Sequence, residues 1–372
     1  MSSNFIKTYP EWISKITCLN SSLNDFNFEK PDKYGNLNKD GFNLANCDIH
    51  CQFIAEAFDY LLTSTTNCSS KKSYIEIFRN LFTNNTSGSF LEIVTYYWLV
   101  KSGLNVIPQI SLDNNIVLGK NGSIIDGKVE LLIGSAYFDI KSFGFTAKLA
   151  GKLCAKLEEN FPEFRVLIEG SWDKSTKEFT NLIQKYQFIV DELKKNSIMK
   201  IGQTIIRLEK RKAVTVSGRI SEPYLLAKEN AQFPFKEANQ FTMHEPFLLI
   251  YVAHPWFGLT ELHDDFSGTA STFTRAFSRR CFFQFSNDES RVKKHCHQVK
   301  DGMTIKESSR LLSGIIFLSF CLFNQDEINR MPYKAWIYLN PRATNKLTCS
   351  DFDLLDRKYS NITIDDFIYD DY

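Results

Sequence analysis

The chain has 372 residues and a mass of 43.0 kDa, enough for one large domain or two to three smaller ones. Hydrophobic residues make up 43% and charged residues 23%, an ordinary globular usage that excludes a disordered or fibrous chain. With 44 basic against 43 acidic residues the net charge is +1. No global positive field draws such a protein onto nucleic acid or an anionic membrane, so any binding of that kind must rest on local clusters.

The nine cysteines are odd in number and scattered, unlike the disulfide framework of a small secreted domain. The opening MSSNFIKTYPEW lacks the apolar core of a signal peptide. The longest apolar run, LLSGIIFLSFCLF at 311–323, is shorter than the about 20 residues a membrane span needs. It reads as a buried helix or strand. The expectation is a cytoplasmic protein with no membrane partner.

Residues 1–85 are polar and rich in Asn and Ser, with helical apolar spacing over 51–63 and 73–82. They form a helical N-terminal region with loops. Next, SGSFLEIVTYYWLVKSG places Leu91, Val94, Trp98 and Leu99 on one helical face, and Gly103 is its natural stop. A short strand follows over 104–110, then a polar loop. The stretch IIDGKVELLIGSAYFDIKSFG, 124–144, reads as a β-hairpin turning at Gly134-Ser135. A helix is expected over 146–160, a strand over 164–169 and an amphipathic helix over 180–195. Two strands, 204–208 and 213–217, flank the basic EKRK. FLLIYVA at 247–253 and AWIYL at 335–339 look like buried strands, and the acidic tail from Asp351 looks like a solvated terminus. Helices alternating with strands argue α/β or α+β architecture, of which α/β is the expectation, with a core over 86–260 and an accessory region over 261–372 that completes the sheet or contacts a ligand.

The hairpin carries the chemistry. Side chains alternate along a strand, so Asp126, Lys128 and Glu130 share a face. With the turn at Gly134-Ser135, Glu130 lies opposite Asp139 and Lys128 opposite Lys141. The other face carries Val129, Leu131, Ile133, Phe138 and Ile140 and is the core side. Carboxylates gathered this way repel one another, at roughly 4 kcal/mol for a pair about 4 Å apart in a medium of effective dielectric near 20. A lysine or a divalent cation offsets that, and hard oxygen ligands suit Mg²⁺ or Mn²⁺ better than zinc.

The order of these residues resembles the PD-(D/E)XK nuclease superfamily, whose members share the restriction endonuclease-like fold. Glu92 stands on a helix ending in a glycine, a strand follows, then Asp126, then Asp139-Ile140-Lys141. In that family an acidic residue opens the second strand, a D/E-x-K motif lies on the third, and a helical glutamate often completes the metal site. Ile125 replaces the proline of the family's Pro-Asp, and the likeness covers about 87–169. The resemblance implies a central mixed sheet flanked by helices, and an Mg²⁺-dependent endodeoxyribonuclease of restriction-enzyme type in which Mn²⁺ substitutes. It implies Asp126, Asp139 and Glu92 as metal ligands, with Lys141 positioning the attacking water. Glu130 competes with Asp126: the hairpin geometry sets it nearer Asp139, while the family's placement favours Asp126.

DNA is the expected partner, with a homodimer as a further possibility because restriction enzymes often pair to cut both strands. Lys148 and Lys152 form a helical stripe after the motif; Arg207, Lys210, Arg211 and Lys212 make one basic cluster, and Arg279 and Arg280 belong to another. Such clusters suffice to track phosphates. Other groupings are weaker. Cys47, His50 and Cys51 lack the second ligand pair of a zinc site, and His295-Cys296-His297 reads as a basic loop. His254 and His263-Asp264-Asp265 read as chance neighbours. A non-cleaving nucleic-acid-binding or scaffold protein on the same fold is the alternative.

Overall fold

The computed structural model describes Ser14 and Cys18, then residues 48–81, 86–143, 153–169, 181–201, 204–210, 223–253, 269–320, 333–358 and 360–370. Described residues within Met1–Ser142, Ala231–Trp256 and Phe277–Tyr372 form one compact unit; those within Phe143–Asn230 and Phe257–Ala276 form another.

The first unit opens with three helices, α1 (Asp48–Ser64), α2 (Cys68–Asn80) and α3 (Thr86–Lys101). Asn67 caps α2, its side-chain oxygen accepting from the amides of Ser69 and Ser70 at 2.8 and 3.3 Å. From Phe90 to Leu99 every residue of α3 except Glu92 is buried, which marks a helix enclosed by its neighbours rather than lying on a surface. Gly103 ends it as expected: at φ +90° it takes the left-handed conformation that costs glycine least. Then come β1 (Val106–Leu112), β2 (Ser123–Glu130) and β3 (Ser135–Phe143).

The second unit holds β4 (Phe164–Glu169), α4 (Tyr186–Asn196), β5 (Ile198–Ile201), β6 (Thr204–Lys210) and α5 (Pro223–Asn230). Its antiparallel sheet runs β4-β6-β5 over an apolar cluster that includes Leu157, Val166, Ile189, Leu193 and Ile206. The strand expected over 213–217 lies outside the described residues, as do 146–152 of the helix expected before β4.

A 3-10 helix, Phe233–Gln240, leads the chain of the first unit into β7 (Phe247–Ala253). Beyond α6 (Thr269–Arg279), α7 (Ile305–Leu311) runs into β8 (Leu312–Phe320), followed by β9 (Tyr333–Leu339) and β10 (Ser360–Asp365). Seven strands form one mixed sheet in the order β1-β2-β3-β7-β8-β9-β10. The pairs β1/β2, β2/β3 and β8/β9 are antiparallel, and β7/β8 and β9/β10 are parallel. Helices α1 to α3 pack on one face, where Phe138, Ile140, Leu248, Ile250 and Ile316 join their core. Tyr251 and Phe317 pack against each other and against Phe277 on the opposite face. The architecture is α/β. The apolar run at 311–323 resolves, over its described part, as the end of α7 and the wholly buried β8.

Two expectations need correction. The acidic tail is not simply a solvated terminus: Ser360–Asp365 pairs with β9, and its Ile362 and Ile364 pack on the core. Edge strands are half-buried and polar on their open side, so composition hides them. The hairpin turn also differs. Glu130 pairs with Ser135, Lys128 with Tyr137 and Gly127 with Phe138, so the chain turns through 131–134, not at Gly134-Ser135. The Leu131 amide donates to the Gly134 carbonyl at 2.8 Å, and that of Leu132 to the Asp351 carbonyl at 3.1 Å. The first bond continues the ladder register and closes it on Leu132-Ile133, leaving Ile133 75% exposed at the tip rather than on the core side.

Gly127 of β2 pairs with Pro108 of β1 and with Phe138 of β3. A Cβ there would sit 2.7 Å from the Ile107 carbonyl oxygen and 2.7 Å from the Phe138 ring. The backbone neighbour cannot swing aside as a side chain can. Gly127→Ala is expected to destabilise the protein by about 1–3 kcal/mol, the usual cost of overpacking, measured as a lower urea midpoint.

Candidate active site

The corrected register decides which acid meets Asp139. The ladder ends at Gly127–Phe138, and its register continued by one residue sets Asp126 against Asp139. Opposed residues of an antiparallel pair share a face, so both carboxylates and Lys141, two residues on, point to the same side. Glu130 is at the far end of β2, exposed, with its carboxylate accepting from Asn105 Nδ2 at 3.0 Å. Lys128 is 2.7 Å from Glu245 and lies over the Tyr137 ring.

Each acid is held by the fold. Asp126 Oδ2 accepts from the Ile140 amide at 2.5 Å, tying β2 to β3. Asp139 is 1% exposed; its Oδ1 accepts from Gln240 Nε2 at 3.2 Å and its Oδ2 lies 2.6 Å from Lys141 Nζ. Lys141 has a second acid, Glu237, at 3.4 Å. Glu92 comes from α3. One turn later Tyr96 donates its hydroxyl to the Asp126 backbone carbonyl at 2.6 Å, fixing the helix to the strand that bears the acid.

Three residues absent from the sequence reading complete the arrangement: Gln109, Glu237 and Gln240. Gln109 donates Nε2 to Glu92 Oε2 at 3.0 Å. It also has φ +52°, a left-handed backbone in the middle of β1, and the β1/β2 ladder skips the pair between Pro108–Gly127 and Ile110–Ile125, where Gln109 would face Asp126. A non-glycine residue in that conformation costs about 1–3 kcal/mol, a strain that clusters at functional sites, although Ser197 and Phe367, outside this group, share it. Glu237 and Gln240 come from the 3-10 helix Phe233–Gln240. Neither motif nor periodicity marks any of the three.

The electrostatics are those of crowded acids. Burial, then the Asp126 charge, pushes Glu92 up to about 8, against the Gln109 hydrogen bond and Lys141. Burial and Asp126 likewise hold Asp139 well above the carboxylate range, with Lys141 opposing. For Lys141 burial disfavours the ammonium, but Asp139 and Glu237 prevail and its pKa is raised. Lys141 is therefore an ammonium at neutral pH.

A pH prediction follows from Glu92. Its folded value of about 8 exceeds the ordinary 4.5, so between those values the folded chain keeps a proton that the unfolded chain releases. Stability is thus full below about pH 4.5 and is lost as pH rises toward 8, each unit of raised pKa being worth about 1.4 kcal/mol. Asp139 acts with the same sign. In chelator-treated buffer the urea midpoint should fall from pH 5 to pH 8, and Glu92→Gln should flatten that slope. An unchanged slope in the variant would show that Glu92 does not carry that proton.

The basic residues are more dispersed. Arg207 and Lys210 lie on β6 of the second unit, with Arg207 3.0 Å from Glu209. Arg279 Nε is 3.4 Å from Asp370 of the acidic tail, and Arg280 Nη1 is 3.3 Å from Gln284 Oε1. Lys148, Lys152, Arg211 and Lys212 lie outside the described residues, as do Cys47, His254 and 263–265. His50 is buried against Phe90, and burial lowers its pKa to about 4.

No family model, curated protein or solved structure matches this chain. The site must therefore be judged on its own chemistry. Among the described residues no three His, Cys, Asp or Glu side chains are gathered closely enough to hold a metal ion as they stand, and no helix is long and apolar enough to cross a membrane. What the site offers a cation is the Asp126 and Asp139 carboxylates, with Glu92 near enough to feel the Asp126 charge. Beside them is a buried acceptor, Gln240 Oε1, that has no hydrogen-bond partner among the described residues. Oxygen donors of this kind fit a hard divalent cation, whose charge would offset the mutual repulsion of the crowded carboxylates.

Proposed function

We propose that the protein is a metal-dependent endonuclease that hydrolyses phosphodiester bonds in DNA, of restriction-enzyme type and cytoplasmic. One observation carries this reading: Asp126 Oδ2 is held on the Ile140 amide in the middle of the D-x-K tripeptide, and the Lys141 ammonium lies 2.6 Å from Asp139 Oδ2, with the Asp126 charge felt by Glu92 on α3. The helix, strand, hairpin order and the D-x-K tripeptide support the likeness to the PD-(D/E)XK nucleases. So does the mixed sheet with helices on its faces.

Asp126 and Asp139 would hold Mg²⁺ or Mn²⁺, with Glu92 assisting. When bound, the ion supplies Lewis acidity and makes water a stronger nucleophile. The protein's own groups do the rest. Lys141 cannot be a general base, because its acid partners keep it protonated. It donates hydrogen bonds, orienting a water and stabilising negative charge as it grows on the phosphate oxygens. The Ile140 amide and the Gln240 side chain hold the two aspartates in place, so no reorganisation is needed when charge develops.

The test is plasmid DNA incubated with the protein in Mg²⁺, in Mn²⁺ and in chelator, followed by gel analysis. Nicked or linear product only with the ion supports the reading; intact plasmid in every lane, across several pH values and DNA sequences, overturns it. The ion pairs of Lys141 with both Asp139 and Glu237 favour one other reading, because they neutralise part of the site without a metal. In that case the protein binds nucleic acid without cutting, and the same gel would show retarded, uncleaved DNA.

A further inference from the structure

The 3-10 helix Phe233–Gln240 brings two side chains to the site. Residues three apart in a 3-10 helix lie on one side, so Glu237 and Gln240 are presented together. Gln240 binds Asp139 Oδ1, while Glu237 lies 3.4 Å from Lys141. Lys141 thus sits between two acids of different character. Asp139 is buried, whereas the Glu237 side chain is 33% exposed and needs no counter-charge when alone.

A cation arriving at Asp139 Oδ2 competes with the Lys141 ammonium for the same oxygen. An ammonium driven off its partner in a largely buried place is costly, and two positive charges sharing one carboxylate repel. Glu237 removes both difficulties, since it offers a second carboxylate already within reach. Resting on the nuclease reading, we infer that Glu237 is a positioning residue: it receives the Lys141 ammonium when a divalent cation takes Asp139. The lysine then stays charged and beside the reacting phosphate while Asp139 is released to the ion. Glu237 acts through Lys141 and does not touch the cation.

That last point separates the inference from simple loss of a negative charge. Mn²⁺ binding is measured by calorimetry on the wild-type protein, Glu237→Gln, Lys141→Ala and the double variant. Lys141→Gln serves as a second background, and thermal unfolding checks that each variant is folded. Glu237→Gln should weaken Mn²⁺ binding about tenfold, and in either Lys141 background the same change should matter less than about twofold, the non-additivity expected of residues acting as a pair. An equal loss with and without Lys141 would make Glu237 a direct ligand or a general charge and overturn the inference alone, as would no loss at all. If the wild-type protein binds no Mn²⁺, the nuclease reading falls and this inference with it.

Discussion

Asp139→Ala and Lys141→Ala should both suppress DNA cleavage while moving metal affinity in opposite directions. Asp139 supplies an oxygen to the proposed ion, so its removal lowers affinity and cleavage together. Lys141 sits 2.6 Å from that oxygen and competes with the ion for it. Removing the ammonium should leave Mn²⁺ affinity intact or raise it. Cleavage should still fall by ~10²-fold or more, because water positioning and charge stabilisation at the phosphate are lost. The structure sharpens the distinction. With the lysine gone, Asp139 remains held by Gln240 and Asp126 by the Ile140 amide, so both carboxylates keep their places. Calorimetric titration beside a plasmid assay reads both quantities. Wild-type cleavage by Lys141→Ala would make the lysine a structural counter-ion, and unchanged Mn²⁺ affinity in Asp139→Ala would move the ion elsewhere.

Much of this site was legible in the sequence, and the illegible part has a physical cause. Alternation of side chains fixes which face a strand residue points to, and Asp126, Asp139 and Lys141 share a face as the pattern requires. Alternation does not fix register. That depends on where the chain turns, here at Leu132-Ile133, where the Leu132 amide bonds the distant Asp351 carbonyl. The choice between Asp126 and Glu130 rests on that register. Strands with uninterrupted apolar runs, such as Phe247–Ala253, were plain, whereas β10 was masked by its aspartates. The second compact unit contains helix and strands of ordinary pattern, so local periodicity cannot tell it from the main sheet. Gln109, Glu237 and Gln240 act through a left-handed backbone and a 3-10 turn, neither of which polar residues announce.

The largest expected loss of stability lies at Trp98. Its side chain is fully buried, and its Nε1 donates to Ser360 Oγ at 3.2 Å, joining α3 to the start of β10. The Tyr333 hydroxyl of β9 donates to the Val94 carbonyl on the same helix at 3.2 Å. Helix α3, which carries Glu92 and Tyr96, is therefore anchored on β9 and β10 as well as on β2. Trp98→Ala should cost about 3–5 kcal/mol, from lost burial and an unfilled cavity. Ser360→Ala should cost about 1–3 kcal/mol, because it leaves the buried indole N–H without its acceptor. Urea unfolding of both variants measures this. The effect on the site should be much smaller, since the 2.6 Å bond from Tyr96 to the Asp126 carbonyl and the hold of Gln109 on Glu92 do not pass through Trp98. Well below its unfolding midpoint, the Trp98→Ala protein should bind Mn²⁺ within about threefold of the wild-type affinity, the additivity expected of independent sites. Complete loss of binding in a protein that keeps its native circular dichroism would show instead that Trp98 sets the depth at which α3 offers Glu92 to the two aspartates.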